Sequence, residues 1–85
     1  MKPIDKTKIS SAIVELAQKQ LKLPLNVNLN VSLVMELGVD SLDIVELIMA
    51  IEKEFNIQFP DSVNKKLRTL QDFIENTIIL VAPKE

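Results

Sequence analysis

The sequence predicts an all-α fold: a small four-helix bundle with a long loop between helices 1 and 2 and a short third helix. Three observations predict it. Apolar residues recur at helical spacing in three long segments, 5–22, 40–55 and 69–80. The one segment that alternates with period two has no second strand-like segment to pair with, and a lone strand is not stable. A chain of 85 residues without cysteine must be held by packing alone, which favours compact helices. The hydrophobic fraction of 47% suffices for a core, and this length has no room for a second one, so residues 1–85 read as a single domain.

In the first helix, residues 5–22, Ile9, Ala12, Ile13, Leu16, Ala17 and Leu21 form one apolar stripe. Asp5 is its expected N-cap, and Pro24 stops it from continuing. Through residues 25–33, Leu25, Val27, Leu29, Val31 and Leu33 alternate with Asn26, Asn28, Asn30 and Ser32. This reads as an extended loop pinned to the core by alternate side chains. A helical turn over 32–37 follows, ended by Gly38, the only glycine, in a left-handed conformation. Asp40 is the expected N-cap of the second helix, with Asp43 at its third position, and the helix should reach Phe55. Pro60 breaks the chain, and residues 61–67 form the short third helix. Thr69 caps the fourth, which carries Leu70, Phe73, Ile74 and Ile78 at helical spacing. Pro83-Lys84-Glu85 reads as a frayed tail.

The second helix is apolar over more of its circumference than a surface helix needs. At about 100° per residue, Ile44, Leu47, Ile48, Ile51 and Phe55 fall on one arc. Leu42, Val45 and Met49 fall on a separate one, with Ser41 and Glu52 between the two and Glu46 bordering the outer arc. The pattern leaves two readings open: an exposed docking stripe rimmed by acid, or a helix buried on most sides. Met35 and Met49 read as core residues or gap fillers, Met49 also able to adapt to several partners.

Charge is unevenly spread. The net charge is −2. Residues 36–54 hold Glu36, Asp40, Asp43, Glu46, Glu52 and Glu54 against Lys53 alone, whereas residues 1–35 are net basic. The acidic stripe should steer the domain toward basic protein patches and disfavours nucleic acid. Tyr and Trp are also absent, so there is little to stack bases on. No apolar run approaches the roughly 20 residues of a membrane span, and residues 1–6 hold no hydrophobic signal core, so a cytoplasmic protein is expected.

Ser41 stands where the Gly38 turn ends and the second helix begins. The chain has no histidine and no cysteine, and no Gly-x-Ser-x-Gly elbow, so a hydrolase built on Ser41 lacks its base. Calcium binding by Asp40, Asp43 and Glu46 also fails, because carboxylates spaced along a helix do not make a ligand loop. No metal site is expected. A serine displayed in this way is better suited to attachment than to turnover.

The run Asp40-Ser41-Leu42-Asp43, with Val45-Glu46-Leu47 and Glu52-Lys53-Glu54-Phe55 behind it, resembles the acyl carrier protein family. The likeness continues through Ile57-Gln58-Phe59-Pro60-Asp61 and Leu67-Arg68-Thr69-Leu70-Gln71-Asp72 and covers residues 33–78 densely. The resemblance implies that Ser41, flanked by Asp40 and Leu42, receives 4′-phosphopantetheine from coenzyme A through a phosphopantetheinyl transferase. In that complex Asp40 would help position a metal bound to coenzyme A. The arm's thiol would hold acyl groups as thioesters, supplying the thiol that a chain without cysteine lacks. The family folds as a four-helix bundle that can sequester acyl chains.

The implied partners are acyl-transfer and chain-elongation enzymes with basic docking patches. They would read Asp43, Val45, Glu46, Met49 and Glu52 on a monomeric, non-enzymatic carrier. Ile44, Leu47, Ile51, Phe55 and Ile74 are the candidates for lining an acyl cavity; plain core packing is the other reading of each. This chain departs from the family's strongly acidic members at Lys53 and at Asn64-Lys65-Lys66, and places Ile44 where threonine is frequent. Fatty-acid synthesis is the favoured setting, with specialised polyketide, lipid or aminoacyl pathways as alternatives. A helical interaction module that is never modified is the remaining one.

Overall fold

A computed structural model describes residues 6–23 and 26–81. Four helices follow in order: α1 (Lys6–Leu21), α2 (Ser41–Phe55), α3 (Asp61–Asn64) and α4 (Leu70–Val81). No strand occurs among the described residues, and no helix among them is long and apolar enough to cross a membrane. The expected cap Asp5, the breaker Pro24, the anchor Leu25 and the tail Pro83-Lys84-Glu85 lie outside the described residues.

The helix α1 buries Ile9, Ile13 and Ala17, one turn apart, and packs against both α2 and α4. Leu47 and Ile51 of α2 and Leu70, Phe73 and Ile74 of α4 complete the helical part of the core. The long loop keeps the alternation seen in its sequence. Val27, Leu29 and Val31 are half-buried and Leu33 is buried, while Asn26, Asn28 and Asn30 face solvent. Its hydrogen bonds go to the entry of α4: Gln71 N–H donates to the Leu29 carbonyl and Leu33 N–H to the Arg68 carbonyl, each at 3.0 Å. The extended segment thus satisfies its backbone without a partner strand.

The turn over 32–37 forms as expected. Glu36 and Leu37 N–H donate to the Ser32 carbonyl at 3.0 and 3.3 Å, and Met35 N–H to Ser32 Oγ at 3.1 Å. Gly38 then takes φ 68°. Nothing lies within 4 Å of where its Cβ would stand, so the demand for glycine there is conformational rather than steric. The helix α2 ends at Phe55, and Asn56 caps it in the left-handed region (φ 54°, ψ 50°), its N–H donating to the Glu52 carbonyl.

That reversal brings the Phe59 N–H to Glu52, whose Oε2 accepts it at 2.8 Å. Phe59 is thereby seated in the core, its ring edge-on to Phe73 at 6.4 Å and 81°. The third helix is one turn, shorter than the span 61–67 expected for it. The chain leaves it through tight turns, with Lys66 N–H donating to the Val63 carbonyl at 2.8 Å, and buries Leu67. At the start of α4, Thr69 Oγ1 accepts the Asp72 N–H at 3.0 Å while Asp72 Oδ2 accepts those of Thr69 and Arg68 at 3.0 and 3.1 Å. This is a reciprocal capping box.

Thr77 is fully buried on α4 and its hydroxyl has no hydrogen-bond partner among the described residues. Thr77→Val keeps the shape and removes the unpaired group, so stability should rise by about 1 kcal/mol. A lower denaturant midpoint for that variant would mean that the hydroxyl is paired in solution. Glu52→Ala should cost about 1.5–3 kcal/mol, because a hydrogen bond to a charged acceptor is lost and a buried N–H is stranded. Glu52→Gln, which keeps an acceptor, should cost less in the same chemical denaturation series.

Candidate functional site

Asp40 is held in extended backbone (φ −72°, ψ 149°) and caps α2. Its Oδ1 accepts from Leu42 N–H and from the Ser41 hydroxyl, each at 3.4 Å. These are long contacts. By contrast, α4 has its first N–H groups satisfied by Thr69, Asp72 and the Leu29 carbonyl. The open start of α2 therefore offers free donors and the positive end of the helix dipole to an anion attached at Ser41. Ser41 is the first residue of the helix and is exposed.

Ser41 also borders a cleft of about 890 Å³. One wall is the side of α2 carrying Ile44, Val45, Ile48 and Met49. Ser32, Val34 and Met35 of the preceding turn close one end, and Asn64, Lys65, Leu67 and Arg68 form the opposite wall. The bond from Leu33 N–H to the Arg68 carbonyl ties turn and wall together. Asn64 Oδ1 is buried without a hydrogen-bond partner among the described residues. An unpaired acceptor beside an apolar wall fits a guest that carries both N–H groups and methylenes, as a pantetheine arm does.

Of the five cavity candidates, Ile44 alone lines this cleft. Leu47, Ile51 and Ile74 are packed in the core, and Phe55 rests half-buried against it. Helical periodicity finds the face of α2 turned to α1 and the core, whereas the cleft opens on the neighbouring arc, where Ile48 stands beside Ile44.

On the outer arc, Leu42, Val45 and Met49 are 69%, 50% and 61% exposed, so α2 is not buried on most sides. Glu46 is exposed beside them and Asp43 is half-buried. Val34 and Met35 extend the stripe, and Met35, read from the sequence as core or filler, is 85% exposed. Its turn is held by the Ser32 bonds, which leave Leu33 and Leu37 to face inward. Glu52 differs from the expectation of a free docking carboxylate, since one of its oxygens is committed to the Phe59 N–H.

Sequence reading missed Val34, Lys65 and Arg68 as parts of the site. Their signal was weak: for Val34 an apolar neighbour in a turn too short to bury it, and for Lys65 a cation where the family resemblance leads one to expect an acid; Arg68 stood out only as part of the matching run. Among the described residues no group of three or more His, Cys, Asp or Glu could hold a metal.

Comparison with known proteins agrees with this geometry. The family described as a phosphopantetheine attachment site matches residues 11–76. An acyl carrier protein of Bdellovibrio bacteriovorus is 51% identical over 49 residues, 58% of this chain and 63% of that protein. One from Campylobacter concisus is 45% identical over 51 residues, 60% of this chain and 66% of that protein. The chain thus spans just under two thirds of the length of the curated relatives it matches. The crystal structure of an acyl carrier protein from Thermotoga maritima superposes with a TM-score of 0.72 at 30% identity, covering 89% of each chain. With its serine at an open helix start and the family match extending across all four helices, the chain belongs to the phosphopantetheine-binding, acyl carrier protein family.

Proposed function

We propose that this chain, as a single domain, is a cytoplasmic, monomeric acyl carrier loaded at Ser41. It would deliver acyl intermediates to fatty-acid or related lipid and polyketide synthesis enzymes. The observation that carries the reading is the exposed Ser41 hydroxyl at an open helix start, bordering a cleft large enough to receive a chain. In loading, the Ser41 oxygen forms a bond to phosphorus as the bond from phosphorus to the nucleotide half of coenzyme A breaks. The hydroxyl proton passes to the transferase. Asp40, beside Ser41, holds the local backbone and would help position the transferase's metal. When bound, phosphopantetheine supplies the thiol on which acyl groups travel as thioesters.

The chain's own work is geometry and recognition. Leu42, Val45 and Met49, rimmed by Asp43 and Glu46, form an apolar stripe with an acidic border suited to basic enzyme patches. A second reading, a carrier dedicated to one specialised pathway, is favoured by Lys65 and Arg68 on the cleft wall.

Incubation with coenzyme A and a broad-specificity phosphopantetheinyl transferase should raise the intact mass by one phosphopantetheine, mapped to Ser41 by peptide fragmentation. Ser41→Ala should keep the far-UV helical signal and take up none; retained loading would place the site elsewhere. An unmodified wild-type chain beside a working control carrier would favour an interaction module, once the transferase of its own pathway had also been tried. Glu46→Lys should slow association with basic partner enzymes about two- to fivefold at low salt and flatten the salt dependence. Unchanged kinetics would reduce the acidic border to a solvated face.

A further inference from the structure

The outermost line of α2 carries opposite charges toward its two ends. At about 100° per residue, Leu42 and Met49 point away from the buried Leu47 and Ile51, and Glu46 and Lys53 lie about 40° and 20° round from Leu42 on one flank. Both charged residues are exposed, and neither forms an ion pair or a hydrogen bond among the described residues. The helix offers neither of them a partner one turn away. Three and four residues from Glu46 stand Leu42, Asp43, Met49 and Ala50; from Lys53 they are Met49, Ala50, Asn56 and Ile57. Two opposite charges thus stand on either side of Met49, seven residues apart, or about 10 Å at 1.5 Å per residue.

This pattern is its own complement. Two such helices laid face to face and antiparallel, about a two-fold axis beside Met49, bring Glu46 of each to Lys53 of the other, because the axis keeps the shared flank on one side. Met49 then meets Met49 between the two ion pairs, a contact to which a flexible thioether adapts. Laid parallel, the same helices would set Glu46 against Glu46 and Lys53 against Lys53, which is repulsive. A uniformly basic surface would match Glu46 and oppose Lys53. A second copy of the chain matches both.

We infer that the outer face of α2 docks the same face of a second copy of this chain, antiparallel, with Glu46 of each against Lys53 of the other. Three apolar side chains a copy and two exposed ion pairs fall short of the roughly 800 Å² per partner of a stable interface, so the pair is transient. Pairing covers Leu42, Val45 and Met49 and so excludes an enzyme from that stripe. The dissociated chain is the working carrier, and the pair is its resting form. That consequence rests on the docking reading of the stripe; the pairing itself does not.

The test uses the full, unmodified chain. Amide chemical shifts are followed on dilution from about 1 mM, where even a weak pair is populated, and sedimentation equilibrium gives the mass. Shifts along residues 42–53 should move with concentration on a single monomer–dimer isotherm and lose that movement in high salt. Glu46→Lys and Lys53→Glu should each weaken pairing about tenfold, since two attractive contacts become two repulsive ones. The double variant Glu46→Lys/Lys53→Glu should regain the wild-type isotherm, and so should an equal mixture of the two single variants. Glu54→Lys makes the same change of net charge as Glu46→Lys but lies off the outer line, and should leave the isotherm unchanged.

A chain that stays monomeric by mass at about 1 mM would overturn the inference and leave the face to other proteins. So would association that moves shifts outside α2 alone, or a double variant that pairs no better than the single ones. Loading of the same stock at Ser41 is scored separately. Its failure would count against the carrier reading and leave the pairing standing, and loading without pairing would do the reverse.

Discussion

Burial of Leu47 and Ile51 fixes the rotation of α2, and what the molecule presents at its site follows from that rotation. Both side chains are fully buried in the core that α1, α2 and α4 share. At about 100° per residue, Ile44 and Ile48 are then left at the margin of the core, and Ser41, Val45 and Met49 are turned progressively outward. One helix therefore supplies core, cleft wall, proposed attachment point and outer stripe without changing direction. A rotation by a single residue would put the Ser41 hydroxyl against the core or the acidic border inside it. Packing at two positions decides the geometry of the site because the chain has no disulfide to fix it otherwise.

The second constraint is the way the long loop is held. An extended segment with no partner strand must satisfy its backbone somewhere. It does so at the entry to α4, through Leu29 and Leu33. Those bonds help cap α4 and set the distance between the Ser32 turn and the wall that carries Arg68. The two helix starts are therefore unlike. The first N–H groups of α4 are consumed by the loop and the Thr69–Asp72 box, while α2 has a single carboxylate at long range. The sequence puts an aspartate near both starts; the difference comes from what the loop reaches.

Much of this was legible in the residues. Helical spacing located α1, α2 and α4, Asp40 and Thr69 marked two starts, and Gly38 marked the turn between loop and helix. The separate apolar arc of Leu42, Val45 and Met49 could be read from the sequence, and the structure resolved in favour of exposure the choice that pattern left open. What failed to show was everything that depends on one segment meeting another. Leu47, Ile51 and Phe55 share one face of α2 and Ile74 lies on an apolar face of α4, but a helical face does not say whether a neighbour or a cleft lies opposite. Glu52 looked like one more surface acid because its partner, the Phe59 N–H, lies seven residues on, around a left-handed cap. The shortness of α3 follows from the burial of Leu67, which no local pattern announces. Lys65 and Arg68 gained meaning only when the fold put them on the same cleft as Ser41.

The exposure of Met35 and Met49 gives the site a chemical vulnerability. The chain has no cysteine to be oxidised first, while Met35 and Met49, 85% and 61% exposed, border the cleft at Ser41. Conversion of either thioether to its sulfoxide would turn a flexible apolar contact into a polar, chiral one. Oxidative stress would thus act first on the surface proposed for docking and leave the buried core intact, and its reversal would fall to a methionine sulfoxide reductase rather than to a thiol reductant.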